Sequence, residues 1–207
     1  AEVLICGHTS PSQCHNNCSG KHAGFLTFSK FLRAGPEYID PDHPVQRAVL
    51  AAHNEVTGEE SPLFGIDGCS APNHATSLHG FGRALSRFAN AGGKSDLRSK
   101  AMVRLVNAMT AHPELVSGET GTCTHLMRAM GGRVAVKTGA EAVYAAIIPE
   151  LGLSVALKIV DGTTRASECA IAAILVKLGV LDYNHPTTRS VLDAPMTNRR
   201  AIEVGTI

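Results

Sequence analysis

The segment GRVAVKTGAEAVYAAIIPELGLSVALKIVDG, residues 132–162, constrains the fold more than any other part of the sequence. It contains Val-rich apolar runs that Gly and Pro interrupt, a pattern that predicts three β-strands in a meander. A long apolar helix is predicted directly after it, at about Thr164–Leu178. Helices before an antiparallel sheet and a helix after it predict an α+β fold, because a doubly wound sheet would alternate strands and helices.

The rest of the chain is predicted to be mainly helical. Apolar spacing predicts a helix over Lys21–Arg33, and Pro44 marks the start of a second helix that ends at Gly58. SPLFGIDGCSAP predicts a short strand that runs into a turn. Further helices are predicted at about Thr76–Asn90, Asp96–Ala111 and Cys123–Met130, and the tail from Asn184 as a loop with a short helix and an extension. The 207 residues are enough for one sizeable domain or two small ones and for a real core, and we predict a single domain over residues 1–207.

Composition excludes several classes of partner. The formal net charge is +1 and only 4% of the residues are aromatic, with no Trp, so neither a nucleic acid nor an anionic membrane is an expected partner. No stretch is long and apolar enough to span a bilayer, and the first residues lack the basic-then-apolar pattern of a signal peptide, so we expect no membrane segment and no export signal. The six cysteines form no dense framework, so we expect free thiols in a reducing cytoplasm, with Cys123 and Cys169 buried.

The stretch CHNNCSGKHAGF contains the first group of residues that could perform chemistry. If a helix starts near Ser19, Cys18 lies at its N-terminus, where the helix dipole lowers the pKa of a thiol. Lys21 follows three residues later on the same side of the first turn. These residues indicate a metal site or an activated nucleophile, and a helix cap with solvated side chains is the structural alternative.

Two further groups follow along the chain. In GIDGCSAPNH, Asp67 and Cys69 end a strand, which indicates either a functional loop or a plain turn. Cys69 and Cys18 with one nitrogen and a water could complete a four-coordinate zinc. Lys137 belongs to Lys-Thr-Gly on a predicted strand, a triplet found beside the active-site serine of β-lactamases. The structural alternative is that Lys137 lies on an edge strand and extends its side chain to water without a catalytic role.

Six blocks, in order, resemble the bacterial L-asparaginase II family of the rhizobial type: HNNCSGKHAGFL, PDHPVQ, GIDGCSAP, HPELVSGE, VKTGAEAVYA and LKIVDG. The resemblance covers about His15 to about Leu181. It implies a serine β-lactamase/glutaminase-like α+β fold and hydrolysis of L-asparagine to L-aspartate and ammonia through an acyl-enzyme on serine. It also implies a homodimer.

The resemblance carries over to particular residues. Cys18, Lys21 and Cys69 match the zinc ligands of the family, with water as the fourth. Lys137 matches a lysine that works with the catalytic serine. Asp67 and His22 match positions near metal and substrate, so Lys137, Asp67 and His22 are the catalytic candidates. Lysine ligates zinc only as the neutral amine, so the metal has to depress its pKa.

The sequence departs from the family at its beginning. The family carries its nucleophilic serine, on Ser-x-x-Lys, in an N-terminal segment that nothing here matches, so we expect that this segment is missing. An inert, zinc-stabilised binding or assembly module is therefore the alternative function. A third hypothesis, in which Cys18 or Ser19 acts as a new nucleophile, is disfavoured because a metal-bound thiolate attacks poorly.

Overall fold

The computed structural model describes residues 10–206. The chain divides between Thr76 and Ser77 into two compact units, each described here by itself. The single domain predicted over residues 1–207 stays a prediction. In the first unit the elements are α1 (Ser19–Leu32), α2 (Pro44–Thr57), β1 (Phe64–Ile66) and β2 (Pro72–His74). In the second they are α3 (Leu78–Ala89), α4 (Leu97–Ala111), α5 (Pro113–Ser117), α6 (Thr122–Ala129), β3 (Ala135–Thr138), β4 (Val143–Ile148), β5 (Leu153–Lys158), α7 (Thr164–Lys177), α8 (Pro186–Leu192), β6 (Pro195–Thr197) and β7 (Glu203–Thr206).

The first unit pairs two helices with a short hairpin. His43 caps α2 because its Nδ1 accepts a hydrogen bond from the backbone of Val45, and Pro44 needs no donor in the first turn. The helix ends at Gly58, whose φ of 68° is a left-handed conformation that glycine adopts without strain. β1 and β2 then form an antiparallel pair. The helix boundaries predicted from Pro44 and Gly58 are confirmed.

The second unit contains the predicted meander. Strands β3, β4 and β5 form one antiparallel sheet in that order, and Lys137 on the edge strand β3 pairs with Ala145 on β4. The α+β fold class is therefore confirmed, while the finer likeness to serine β-lactamases stays a prediction.

The core of this unit lies on both faces of the sheet. Along β4, Tyr144, Ala146 and Ile148 face the larger core cluster, because alternate side chains of a strand point to opposite sides. α6 and α7 complete that cluster with buried side chains that include Leu126, Met127, Ile171 and Leu175. On the opposite face, Ala135 and Ile147 pack against Ala89 of α3 and Val106 of α4. The sheet thus separates two layers of helices.

The structure corrects several expectations. In the tail the predicted short helix is present as α8, but an antiparallel hairpin of β6 and β7 follows it in place of a loop and an extension, with a register shift between Met196 and Thr197. The strand β2 and the helix α5 were not predicted. Cys169 is only partly buried, so its assignment to the core is wrong, whereas Cys123 is fully buried as predicted.

The described cysteines are free thiols: Cys14, Cys18, Cys69, Cys123 and Cys169. This agrees with the predicted absence of a disulfide framework for the described part of the chain, and Cys6 lies outside the described residues. Among the helices of residues 10–206, none combines the length and the apolar character needed to cross a bilayer.

Candidate metal centre and lysine strand

Cys18 lies at the start of α1, as the sequence predicts. The preceding Asn16 folds back, and its Oδ1 accepts a hydrogen bond from the backbone N–H of Cys18 at 2.8 Å. The helix begins with the next residue, and the N–H of His22 donates to the carbonyl of Cys18 at 3.1 Å. The Cys18 side chain caps no backbone group of the helix. Its thiol is therefore available for another partner.

Asp67 and Cys69 lie in the tight turn that joins β1 to β2. The N–H of Ser70 donates to the carbonyl of Asp67 at 2.8 Å, and the N–H of Asp67 donates to the carbonyl of Ala71 at 2.9 Å. Ser70 adopts a left-handed φ of 72°, which is uncommon for a residue with a Cβ. The Asp67 Oδ1 accepts a further hydrogen bond from Gly68 at 2.7 Å, so the turn fixes the carboxylate.

The two segments bring their side chains together. The Sγ of Cys18, the Sγ of Cys69 and a carboxylate oxygen of Asp67 all lie within 4.8 Å of one another. Lys21 Nζ lies 3.3 Å from Asp67 Oδ2, and Cys69 Sγ donates to the same oxygen at 3.5 Å. Both thiols are partly buried. The convergence that the zinc hypothesis requires is thus present within the first unit.

Mutual contacts set the electrostatics of this cluster. The hydrogen bond from Gly68, followed by those from Lys21 and Cys69, lowers the pKa of the Asp67 carboxyl. Burial opposes the charge of Lys21, but hydrogen bonds to Cys69 and Asp67 prevail and raise its pKa. Partial burial, and then the hydrogen bond to Cys69, raise the pKa of Cys18. The net shift of this thiol's pKa is therefore upward, opposite to the lowering expected from the helix N-terminus alone.

The donor set fits a zinc ion. Thiolates favour zinc over magnesium or calcium, and structural zinc sites combine thiolates with nitrogen or carboxylate ligands. The sequence predicted Cys18, Lys21 and Cys69 as ligands, and the structure adds the carboxylate of Asp67 to the group. Lys21 pairs with that carboxylate as an ammonium. Ligation by its amine would require that it lose the proton and leave the ion pair.

His22 and Cys69 line one cavity of about 320 Å³. His22 Nδ1 lies 2.8 Å from the Tyr38 hydroxyl, and Gln46 Nε2 donates to the Tyr38 carbonyl at 2.7 Å. His22 Nε2 is buried without a hydrogen-bond partner within residues 10–206. Tyr38 is a functional candidate that sequence reasoning missed, because no local pattern links it to a histidine sixteen residues earlier.

Lys137 belongs to the second unit, where it lines an apolar groove. The groove has a volume of about 380 Å³, and Lys137 is its one charged residue among the described side chains that form its walls. Lys137 Nζ donates a hydrogen bond to the carbonyl of Thr138. The N–H of Thr138 in turn donates to the buried Cys123 Sγ at 3.2 Å, and this sulfur lies 3.1 Å from the Tyr144 hydroxyl. The buried pair of Cys123 and Tyr144 therefore fixes the end of β3, the strand that carries Lys137.

Comparison with known proteins identifies the class of this chain. An α+β fold that carries a lysine strand and a thiol–carboxylate cluster is compatible with a hydrolase. The family model of L-asparaginase II matches residues 1–207, so the chain belongs to the L-asparaginase II family. Membership indicates an asparaginase-type hydrolase. No curated protein matches the chain significantly. The individual roles of the site residues stay predictions.

Removal of one thiol tests the metal centre. We expect Cys69→Ala to reduce bound zinc from about one ion per chain to a trace, because loss of a thiolate leaves too few ligands for tight binding. Cys14→Ala is the matched control, since Cys14 is an exposed thiol outside the cluster. Elemental analysis after dialysis and calorimetric titration with zinc measure both variants. Equal zinc content in the two variants would contradict the site.

Proposed function

We propose that this chain takes part in the hydrolysis of L-asparagine to L-aspartate and ammonia, with zinc held by Cys18, Lys21 and Cys69. The convergence of Cys18 and Lys21 on Cys69 and Asp67, from segments more than forty residues apart, is the observation that supports this function best. Family membership supports the same reaction class. Zinc held by these residues would supply a fixed positive charge that helps to orient the substrate, and the attacking group would be a serine hydroxyl.

The residues of this chain have distinct proposed tasks. The amine of Lys137 accepts the proton of a serine hydroxyl as that oxygen attacks the amide carbon, and the proton then passes to the departing ammonia. Water hydrolyses the resulting ester and releases aspartate, so one water is consumed for each ammonia formed. The serine is proposed to lie in a segment upstream of this sequence, because the 207 residues contain no Ser-x-x-Lys motif.

The remaining polar residues are proposed to position the substrate. Asp67 Oδ1 accepts a hydrogen bond from the backbone N–H of Gly68, which holds the carboxylate in place to orient a ligand. Tyr38 fixes the ring of His22 through the hydrogen bond at Nδ1. The cavity that His22 shares with Cys69 is large enough for an amino acid, since small-molecule sites start at about 300 Å³.

The ammonia assay tests this function. The chain joined to its natural upstream sequence and loaded with zinc is expected to release ammonia and aspartate from L-asparagine in equal amounts. Acetamide, which carries the amide without the amino-acid groups, should release far less. Absence of ammonia above the buffer rate from folded, zinc-loaded protein would refute the proposal.

The lack of Ser-x-x-Lys also favours one second candidate, a zinc-stabilised binding module without chemistry. This candidate predicts that L-asparagine binds in a calorimetric titration without turnover and that chelation lowers the melting temperature. Equimolar ammonia and aspartate from the extended protein would exclude it.

A further inference from the structure

A separate cavity lies wholly within the second unit. Its volume is about 390 Å³, and α6, α7, α8 and β6 with the residues just before it form its walls. This volume falls within the range of small-molecule sites, about 300–1,000 Å³. The cavity contains none of the residues to which the proposed hydrolysis assigns a role. It therefore needs its own explanation.

Two opposite charges on one helix line this cavity. Arg165 and Glu168 lie three residues apart on α7, a spacing that makes their side chains neighbours on the helix surface. They nevertheless form no ion pair with each other. The charge of Arg165 also acts on Asp161, without contact. Within residues 10–206, neither the Arg165 guanidinium nor the Glu168 carboxylate has a hydrogen-bond or ion-pair partner. Both charged groups are thus available to a ligand.

The rest of the lining divides into a polar and an apolar part. Thr122 and His125 come from α6 and Ser190 from α8, and they add hydroxyl and imidazole groups to the cavity. His125 Nε2 is already 3.0 Å from the carbonyl of Glu119. Val191, Ala194, Pro195 and Met196 add apolar side chains to the lining, and Thr187 and Thr197 add two further hydroxyl groups. The cavity therefore offers one positive group, one negative group and an apolar wall.

We propose that this cavity binds a free α-amino acid with an apolar side chain. The guanidinium of Arg165 pairs with the α-carboxylate, Glu168 accepts hydrogen bonds from the α-ammonium, and the side chain packs on the wall around Met196. A simple anion would face the carboxylate of Glu168, and a simple cation would face Arg165. A zwitterion satisfies both groups, and charge-assisted hydrogen bonds of this kind are the stronger ones.

The proposal does not depend on the hydrolysis of L-asparagine. It assigns a second amino-acid site to the second unit, so either function can fail while the other stands. Binding at this cavity is measured directly rather than through turnover, which keeps the two results distinguishable.

Calorimetric titration of the intact chain with L-leucine tests the site. We expect saturable binding of one L-leucine, and binding at least about tenfold weaker for isocaproate, which lacks the ammonium, and for isoamylamine, which lacks the carboxylate. L-Asparagine is the comparison for the apolar wall and should also bind more weakly at this site. No saturable binding of L-leucine, or equal binding of either truncated analogue, would overturn the proposal.

Two substitutions assign the binding to this cavity. Arg165→Met and Glu168→Gln should each weaken L-leucine binding at least about tenfold, because each removes one of the two charges while keeping the size of the side chain. Arg104→Met and Glu60→Gln are matched controls at exposed positions outside the cavity, and their affinity should stay unchanged. Wild-type affinity in both cavity variants would overturn the assignment.

Discussion

Lys137→Ala should lower kcat for L-asparagine at least about a hundredfold in the protein extended by its upstream sequence. A positioned proton acceptor typically contributes 10²–10⁴-fold to the rate, and alanine cannot carry the proton. The lysine projects from an edge strand into a groove rather than into the core, so the fold should survive the change. Steady-state kinetics and a thermal melt measure both effects.

Lys158→Ala is the matched control for this experiment. Lys158 is likewise an exposed lysine of the same sheet whose ammonium donates to the carbonyl of the next residue, Ile159. Its replacement should leave kcat unchanged. Lys137→Arg separates two roles, because arginine keeps the charge but does not release its proton near neutral pH. Recovery of activity by arginine, or equal loss in Lys137→Ala and Lys158→Ala, would contradict proton transfer by Lys137.

Leu126→Ala should lower the free energy of unfolding of the second unit by about 3–5 kcal/mol, the range found when a buried leucine is truncated and leaves a cavity. Leu126 is 0% exposed and belongs to the larger core cluster between α6, the sheet and α7. Urea unfolding followed by circular dichroism measures the loss.

Leu97→Ala provides the same chemical change at a position that is 85% exposed. We expect its free energy of unfolding to change by less than about 0.5 kcal/mol, because little apolar surface leaves contact with protein. If both leucine variants lost similar stability, α6 would not pack into the core as described.

Local chemistry made most helix boundaries predictable. Pro44 and Gly58 act within a single turn of chain, so each boundary of α2 could be read from its neighbours. The meander was predictable for a similar reason, since its apolar runs and the glycines between them lie close together in sequence. Secondary structure in the middle of the chain therefore needed no knowledge of tertiary contacts.

The short strands were not predictable in this way. β2 and β6 each have three residues and begin with proline, a residue that disfavours strand interiors. The register shift between Met196 and Thr197 further removes the alternation that marks a strand. These elements form because a partner strand is close in space, and that information is absent from a local window.

The candidate site was predictable only in part, for the same physical reason. Cys18 and Lys21 share one helical turn, so their proximity followed from spacing. Their approach to Asp67 and Cys69 depends on how the β1–β2 turn meets the start of α1. Residue chemistry offered Cys18 and Cys69 as possible zinc ligands, but only the resemblance to the family joined Lys21 and Asp67 to them. The contact between His22 and Tyr38 had no sequence signal, because it joins a helix to an irregular loop.

The start of α1 has a consequence for how loading of the centre could be observed. Cys18 occupies the position where serine or aspartate usually secures the first backbone amides, yet its sulfur secures none of them. A metal ion bound to the Cys18 sulfur would also hold the first turn of α1 in place. The first turn would therefore become more rigid as the fraction of metal-bound protein increases. The backbone amides of Lys21 and His22 then act as built-in reporters, whose exchange with solvent slows as the ion enters.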